Sequence, residues 1–371
     1  MNAIRLAVLC DHLEENWPSM QLMADMLLEQ FGSATRIQPR FHRHCGRRNA
    51  DRLLNRLVSY PLKAWRLTGF DVFHVIDHSY AHLVHVLPAD RTVVTCHDAD
   101  TFRCLFDPAR EKRPLWFRAM ARHILRGLQK AAHVVCVSEA TRAQLLQHGL
   151  VDPARLRVIH NGIHPAYTAG PDEHWDHEAA RLLGPSSAGR TELLHVGSTI
   201  PRKRIEDLLH IFAECQTRDN RLHLIRVGAP FTIEQEHLAS RLSISDRITH
   251  LEKVSPKLLA AVYRRAAILL LPSEAEGFGL PLTEAMSCGT HVAASDIPAL
   301  REVGGPAADF YPVGDITRWS EGLLHSLEER SSNRDSWYQR TAICRSQSTL
   351  FSWDRNAREL TRLYLTVLTQ N

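Results

Sequence analysis

Short apolar runs alternate with longer amphipathic segments along most of the chain, and this alternation is typical of parallel β-sheets joined by crossover helices. In the first half the predicted strands are Ile4–Cys10, Phe70–Ile76, Arg91–Cys96, His133–Val137 and Leu156–His160. In the second half they are Glu192–Val196, Leu222–Val227, Ile248–Leu251, Ile268–Leu271, His291–Ala294 and Asp309–Tyr311. We therefore predict an α/β fold with two doubly wound, Rossmann-like domains that face each other across a cleft.

Chain length and one irregular segment predict the domain limits. The 371 residues exceed the roughly 250–300 residues that a single hydrophobic core usually reaches. Residues 166–190 are rich in proline, glycine, serine and acidic residues, which predicts a linker between domains over residues 1–165 and 191–350. The C-terminal residues 351–371 have the pattern of an amphipathic helix, which is a candidate to pack back onto the first domain.

The cysteines and the N-terminus favour a cytoplasmic protein. Eight cysteines occur without any Cys-x-x-Cys pair, and several lie within predicted strands, so we expect free thiols in a reducing compartment. The N-terminal apolar run contains Arg5 and is followed at once by Asp11, unlike a signal peptide. No stretch approaches the roughly 20 apolar residues of a membrane span.

Positive charge is concentrated in two segments, although the net charge is only +4. From Arg36 to Arg66 there are eight arginines and Lys63 against a single acid, Asp51. The segment from Arg103 to Lys130 is also basic, and Leu115, Trp116, Met120, Ile124 and Leu128 recur in it at helical spacing. Such segments suit an anionic membrane surface or a phosphate-bearing acceptor, and an ordinary solvated helix face explains them equally well. We expect no nucleic acid partner, because no nucleic-acid-binding motif accompanies the charge.

The strongest motif is the turn from Glu276 to Glu284, EGFGLPLTE, which follows the apolar run Ile268–Leu271. It is not a dinucleotide-binding fingerprint, because Leu282 stands where the third glycine would be. The glycines let backbone approach a ligand closely, and Pro281 suits the first position of a helix whose N-terminus favours an anion. With the two glutamates to bind hydroxyls, a ligand that carries both phosphate and sugar fits the turn. The alternative is a helix capped by acids for electrostatic reasons alone.

A second motif, Leu193–Leu209, is also a predicted strand, turn and helix. Arg202, Lys203 and Arg204 stand where its helix begins. Cations at a helix N-terminus oppose the helix dipole, so this placement predicts an anionic ligand. The alternative is a basic patch on a solvated loop.

The two motifs together resemble the second domain of retaining, GT-B fold glycosyltransferases of family four. The residues that carry the resemblance are VGSTIPRK and PSEAEGFGLPLTEAM, supported by Leu251–Leu259, Tyr263–Ala267, Ser295–Val303 and Phe351–Arg355. In the first half the resemblance is thinner and rests on Val94–Asp98, Val137–Thr141 and Val158–Ile163.

The resemblance implies a role for each matching position. Arg202 and Lys203 would hold the donor diphosphate, Glu284 the ribose, and Glu276 would lie near the transferred sugar. His97 would reach the donor sugar from the first domain. The remaining donor-binding positions are the strand-end Gly197, the positions Val254 and Leu258 near the base, and the backbone amides of Gly277, Phe278, Gly279 and Leu280. The catalytic set would be His97, Arg202, Lys203 and Glu276.

Two positions depart from the family pattern. Ser198 stands where many relatives have arginine, so Arg202 and Lys203 would supply the cations for the phosphates. The first strand–helix turn, Cys10–Met20, lacks the usual glycine pair, and this turn normally borders the acceptor. Trp17, Ser19 and His78 are the acceptor-side candidates, with Trp17 either a stacking platform for a sugar or a core aromatic.

The activity implied is retaining transfer of a hexosyl unit from a nucleoside-diphosphate sugar to a glycan, a lipid-linked or another hydroxyl acceptor, as in surface polysaccharide or glycoconjugate synthesis. We expect no cofactor and no metal, although Asp98-Ala-Asp100 and the histidines at 74, 78, 82 and 85 are weak metal-type patterns. The alternatives are a GT-B-like phosphorylase, a nucleotide-sugar epimerase, and a non-catalytic sugar-nucleotide binding protein.

Overall fold

The structure is a computed structural model that describes residues 4–15, 17–184 and 189–369. The chain forms two compact units. Unit 1 consists of Met1–Gly162 and Ser352–Asn371, and unit 2 consists of Ile163–Phe351. Each unit is a parallel sheet with flanking helices, so the predicted α/β class with two Rossmann-like domains is confirmed.

Unit 1 contains a six-stranded parallel sheet in the order β2-β1-β3-β4-β5-β6. Its strands are β1 Leu6–Leu9, β2 Thr35–Ile37, β3 Val72–Val75, β4 Thr92–Cys96, β5 His133–Cys136 and β6 Leu156–Val158. Its helices from the first part of the chain are α1 Pro18–Gln30, α2 Arg48–Leu54, α3 Tyr60–Trp65, α4 Arg103–Phe106, α5 Leu115–Lys130 and α6 Glu139–Gln147. A π-helical turn, Asn55–Ser59, joins α2 to α3, and a 3₁₀ helix, His78–His85, follows β3. The strands are apolar on both faces because helices cover the sheet on both sides.

The edge strand β2 was not predicted. It is only three residues long, it contains Arg36, and only Ile37 is buried. An edge strand covered by few neighbours has no apolar run for sequence reasoning to detect.

Unit 2 contains a second six-stranded parallel sheet, in the order β12-β11-β10-β7-β8-β9. Its strands are β7 Thr191–Gly197, β8 Leu222–Gly228, β9 Ile248–Leu251, β10 Ile268–Leu271, β11 His291–Ser295 and β12 Ala308–Tyr311. Its helices are α7 Glu173–Leu183, α8 Ile205–Arg218, α9 Ile233–Arg241, α10 Pro256–Arg265, α11 Leu280–Ser287, α12 Pro298–Gly304, α13 Ile316–Ser332 and α14 Arg334–Ser348.

Helix α7 lies in the segment predicted to be an irregular linker, and that prediction is wrong over Glu173–Leu183. The Asp172 carboxylate accepts the backbone N–H of Trp175 and caps the helix. Ala179 and Leu183 are buried, and Asp176 pairs with Arg264 of α10. Because proline and glycines flank this helix, its sequence pattern did not indicate a helix. Contacts with other elements of the unit stabilise it.

The last helix, α15 Trp353–Thr369, belongs to unit 1. Leu360, Leu363 and Val367 are buried in the same apolar cluster as β1. The Tyr364 hydroxyl lies 2.6 Å from Nδ1 of His74 on β3. Unit 1 is therefore built from both ends of the chain.

Candidate active site

The two predicted motifs lie at the carboxyl ends of neighbouring strands. β7 ends at Gly197, β10 ends at Leu271, and the two strands pair in parallel. A 3₁₀ turn, Pro201–Lys203, follows β7, and the glycine turn follows β10. The backbone N–H of Glu274 donates to the carbonyl oxygen of Arg202 at 2.9 Å and ties the turns together. The carboxyl edge of a parallel sheet is where α/β proteins bind ligands.

Glu276 forms an ion pair with Lys203 at this edge. Nζ of Lys203 donates to Oε1 of Glu276 at 2.6 Å, and Nη1 of Arg202 lies 3.7 Å from Oε2. The side chains of Glu276 and Lys203 are 8% and 11% exposed, so little water reaches the pair. Burial raises the pKa of Glu276, but Lys203 and Arg202 outweigh it, and the pKa lies below its ordinary value. Glu276 is therefore ionised at neutral pH.

Arg204, the third cation of the motif, does not join this group. Its guanidinium pairs with Asp207 and with Glu274 instead. The prediction that all three cations together mark an anionic ligand is therefore wrong for Arg204, because two carboxylates already neutralise it.

The glycine turn presents backbone at the start of α11. Gly279 has φ 92° and is the residue that precedes the helix, and Pro281 lies in its first turn. Phe278 is buried and packs edge-on against Phe351 at 5.5 Å. Gly277, Phe278, Gly279 and Leu280 would therefore meet a ligand through backbone atoms, as the resemblance implies.

Glu284 lies one turn into α11, buried between two tyrosines. The hydroxyl of Tyr263 donates to Oε2 of Glu284 at 2.8 Å, and the Tyr167 hydroxyl also bonds to the carboxyl. Burial raises the pKa of Glu284 to about 7, although both tyrosine hydrogen bonds lower it. Neither tyrosine was among the predicted site residues, and Tyr167 lies within the segment that was predicted to be a linker.

Replacing Glu284 by glutamine is expected to change the pH dependence of stability. The pKa of this carboxyl is about 7 in the folded protein, against an ordinary value of 4.5. Its protonated form therefore stabilises the fold fully below pH 4.5, and this stabilisation is lost as the pH rises through 7. Between about pH 5 and pH 8 the natural protein should lose roughly 1–3 kcal/mol of unfolding free energy relative to E284Q. Urea-unfolding midpoints of both proteins across this range measure the effect. A stability difference that is constant with pH contradicts the raised pKa.

The two positions predicted near the base lie at the start of α10. Ser255 caps this helix by accepting the backbone N–H of Leu258. The Leu258 side chain is buried, whereas Val254 is half-buried. Val254 is therefore the better placed of the two to meet a ligand.

In unit 1, His97 and His78 contact each other at the ends of β4 and β3. Nε2 of His97 lies 2.8 Å from the carbonyl oxygen of Ile76, and since a carbonyl only accepts, Nε2 carries the proton. The backbone N–H of His97 donates to Nδ1 of His78 at 3.3 Å. Burial lowers the pKa of His97, and Asp77 offsets this only in part. The neutral His97 imidazole therefore has Nδ1 as a hydrogen-bond acceptor.

Trp17 and Ser19 lie at the start of α1. Trp17 is 49% exposed, so the core-aromatic alternative is wrong. It borders a small cavity together with Asp11 and Ile76. Ser19 is half-buried in the first turn of the helix.

Two buried carboxyls were not among the predicted site residues: Asp77, which lies 3.4 Å from Nδ1 of His78, and Asp11, which lies next to Asp77. Burial and the nearby Asp77 raise the pKa of Asp11 well above its ordinary value. Burial also raises the pKa of Asp77, but His78, His97 and Ser79 bring it down to about 2. Each aspartate comes just after a buried strand, and a polar residue at that position was the available signal.

The side chains of the weak metal-type patterns bond to other partners and do not form a common site. Asp98 accepts the backbone N–H of Asp100, and Asp100 pairs with Arg103. His74 bonds to Tyr364 and Thr95. Within residues 4–15, 17–184 and 189–369, no group of three or more His, Cys, Asp or Glu side chains is arranged to hold a metal ion.

A groove of about 730 Å³ lies elsewhere on unit 2. Its lining includes Thr191, Arg221, Arg330, Trp337 and Tyr338, and none of the predicted site residues. Thr191 is the first residue of β7, so the groove adjoins the amino edge of the sheet, opposite the motif-bearing ends.

Comparison with known proteins supports the resemblance over both units. Residues 184–342 match the family described as glycosyl transferases group 1, and residues 18–167 match glycosyltransferase family 4. The O-antigen chain mannosyltransferase B of Escherichia coli is 26% identical over 307 residues, which is 81% of this chain and 76% of that protein. The D-inositol 3-phosphate glycosyltransferase of Corynebacterium efficiens is 31% identical over 60% of this chain, which spans 53% of that relative's length.

Solved structures share the fold at low identity. Sucrose-phosphate synthase from Thermosynechococcus elongatus has a TM-score of 0.77 and 17% identity, over 99% of this chain and 100% of that one. The HepE protein of Anabaena, solved with UDP and glucose, has a TM-score of 0.76 and 15% identity, over 98% of this chain and 100% of that one. The fold, the two family matches and the relatives agree, and the chain therefore belongs to the GT-B glycosyltransferases of the family-four type.

Proposed function

We propose that the protein transfers a hexosyl unit from a nucleoside-diphosphate sugar to a hydroxyl group of a glycan or lipid-linked acceptor, with retention of the anomeric configuration. The observation that carries the proposal is the group formed by Arg202, Lys203 and Glu276 at the joined ends of β7 and β10. Two cations and a helix N-terminus suit a diphosphate, and a carboxylate suits sugar hydroxyls. The names of relatives, a mannosyltransferase and a structure with UDP and glucose, support this class of donor.

The chemistry follows from where charge develops. The bond between the sugar C1 and the phosphate oxygen breaks, a bond from C1 to the acceptor oxygen forms on the same face, and the acceptor proton passes to the leaving phosphate. Arg202, Lys203 and the amides near Gly279 would stabilise the charge on that phosphate. Lys203 must then exchange Glu276 for phosphate, which frees the carboxylate for a sugar hydroxyl. The protein's own cations would do the work of a metal ion in this scheme.

The experiment is to incubate the protein with a panel of nucleoside-diphosphate sugars and to follow nucleoside diphosphate release with and without candidate acceptors. Release that depends on an acceptor supports transfer, and NMR of the product reports the anomeric configuration. Unchanged rates in excess chelator would support metal independence. Dependence on free phosphate would favour a phosphorylase, conversion of the sugar without nucleotide release an epimerase, and binding without turnover a non-catalytic protein.

We also propose that unit 1 binds the anionic face of a membrane, at the inner side of the cytoplasmic membrane. Leu54, Val58, Leu62 and Trp65 recur every three or four residues along α2–α3, and they are 39%, 47%, 53% and 67% exposed. The flanking arginines 40, 43, 47, 48 and 66 are exposed and form no ion pair among the described residues. The single acid, Asp51, is buried and accepts the backbone N–H groups of His44 and Cys45. An apolar face bordered by free arginines matches an anionic lipid surface.

The other basic segment is less suited to this role. In α5, Ile124 and Leu128 are buried and only Leu115 and Trp116 are strongly exposed, so its predicted apolar face is divided between core and solvent. Among the described residues, no helix is both long and apolar enough to cross a bilayer.

Replacing Leu62 and Trp65 by glutamate is expected to abolish binding to vesicles that contain anionic lipid, with at least a tenfold loss of partitioning, because both apolar contacts are lost and two negative charges are added. The matched control replaces Leu115 and Trp116 by glutamate and should retain most of the binding. Co-sedimentation at low and high salt measures both. Loss of binding only in the control variant, or no binding by the natural protein, would contradict the assignment to α2–α3.

A further inference from the structure

Arg226 is a fully buried arginine that has no carboxylate partner among the described residues. It lies on β8, paired in register with His195 on β7. Its Nη1 donates to the carbonyl oxygen of Val227 at 2.6 Å and its Nη2 to that of Ala229 at 3.3 Å, while Nε has no hydrogen-bond partner. Burial lowers the pKa of Arg226 to about 10, so the guanidinium remains charged at neutral pH.

The neighbouring His195 does not neutralise this charge. It is fully buried, and neither ring nitrogen has a hydrogen-bond partner among the described residues. Burial, together with Arg226 and Lys203, lowers the pKa of His195 well below its ordinary value, so the ring is neutral. The two cations therefore flank an uncharged side chain.

Arg226 and Lys203 border the same pair of strand ends. Gly197 and Gly228 are register partners at the carboxyl ends of β7 and β8. A methyl group at Gly197 would lie 3.7 Å from Cε of Lys203, and one at Gly228 would lie 3.0 Å from Nη1 of Arg226. Burying a charge that has no opposite charge beside it is unfavourable, and an anion bound at these strand ends would offset that cost.

We propose that Arg226 is a positioning residue for the donor diphosphate. It lies beneath the strand ends at Gly197 and Gly228 and would attract the negative charge of the diphosphate. This inference rests on the proposed function. Arg202 and Lys203 would contact the phosphates, whereas Arg226 would act through space by its charge. Because Ser198 next to Gly197 carries no charge, Arg226 would supply a second cation, besides Lys203, at these strand ends.

The test compares Arg226→Lys with Arg226→Met, because both variants lose the forked hydrogen bonds and only the second loses the charge. Titration calorimetry with inorganic pyrophosphate and with a set of nucleoside diphosphates gives the affinities, and thermal melting confirms that both variants fold. R226M should bind pyrophosphate and nucleoside diphosphates roughly tenfold more weakly than the natural protein, because it lacks a unit charge that acts over several ångströms at intermediate dielectric. The affinity of R226K should stay within about threefold of that of the natural protein. In a transfer assay R226M should raise the donor KM far more than it lowers kcat.

Equal affinities of R226M and the natural protein would overturn the inference and leave the proposed function intact. Equal weakening by R226K and R226M would also overturn it, because the effect would then follow the hydrogen bonds and not the charge. Absence of diphosphate binding by the natural protein itself would overturn both proposals.

Discussion

Lys203→Met should lower the rate of hexosyl transfer by roughly 100- to 1000-fold, the range seen when one preorganised charge-stabilising group is removed from an active site. Methionine keeps an unbranched apolar stem of similar length, so the packing beneath Gly197 should survive. The loss should appear mainly in kcat, because the charge on the leaving phosphate grows as the sugar bond breaks. Steady-state kinetics with the best donor from the panel measure it.

A matched control removes the neighbouring cation. Arg204 has φ 49°, a left-handed conformation that glycine adopts without strain, and its charge is already neutralised by Asp207 and Glu274. Arg204→Gly should therefore stay within about threefold of the natural rate, since it removes no group from the site.

The double variant Lys203→Met with Glu276→Gln separates folding from catalysis. The single variant leaves a buried carboxylate without its partner, whereas the double variant removes both charges and should recover most of the lost stability. If activity returns with stability, or if K203M alone is nearly as active as the natural protein, Lys203 is not part of the catalytic site.

Gly228→Ala should lower the unfolding free energy of unit 2 by about 3 kcal/mol or more, or prevent folding, as expected for overpacking against backbone. The added methyl group would come within 2.0 Å of the carbonyl oxygen of Gly197, and φ at Gly228 is 130°, where alanine is strained. Because β7 and β8 are adjacent strands, the clash cannot be relieved without separating the sheet edge that carries the site.

Gly170→Ala is the control within the same unit. The nearest atom to the added methyl group would be Thr168 Oγ1 at 3.8 Å, an ordinary contact. Urea unfolding followed by circular dichroism compares the three proteins. Similar midpoints for both alanine variants would show that the two strand ends are not closely packed in solution.

The fold class was accessible from sequence because buried parallel strands are continuous apolar runs. The exceptions were elements that tertiary contacts define. Strand β2 has one buried residue, and α7 is short and surrounded by turn-forming residues. Both owe their structure to neighbours that lie far away in the sequence.

Part of the candidate site could also be predicted from the sequence. The motifs placed Glu276 and Lys203 in turns that follow predicted strands, but only the structure shows that the two strands are neighbours, that these side chains form an ion pair and that Arg204 pairs elsewhere. Tyr167 and Tyr263 reach Glu284 from separate elements, and Asp11 and Asp77 meet from β1 and β3. Pairings of this kind depend on topology and leave no local pattern. The assignment of these residues to donor or acceptor stays a prediction.

The return of α15 to unit 1 has a consequence for how the gene tolerates truncation. Unit 2 is, in topological terms, an insertion into unit 1, and its two ends meet where the backbone N–H of Ile163 donates to the carbonyl oxygen of Phe351 at 3.3 Å. A premature stop codon shortly before Trp353 would leave the reading frame of unit 2 whole. The damage would fall on the product's amino-terminal half, where β1 and β3 would lose the apolar cover that the last helix provides.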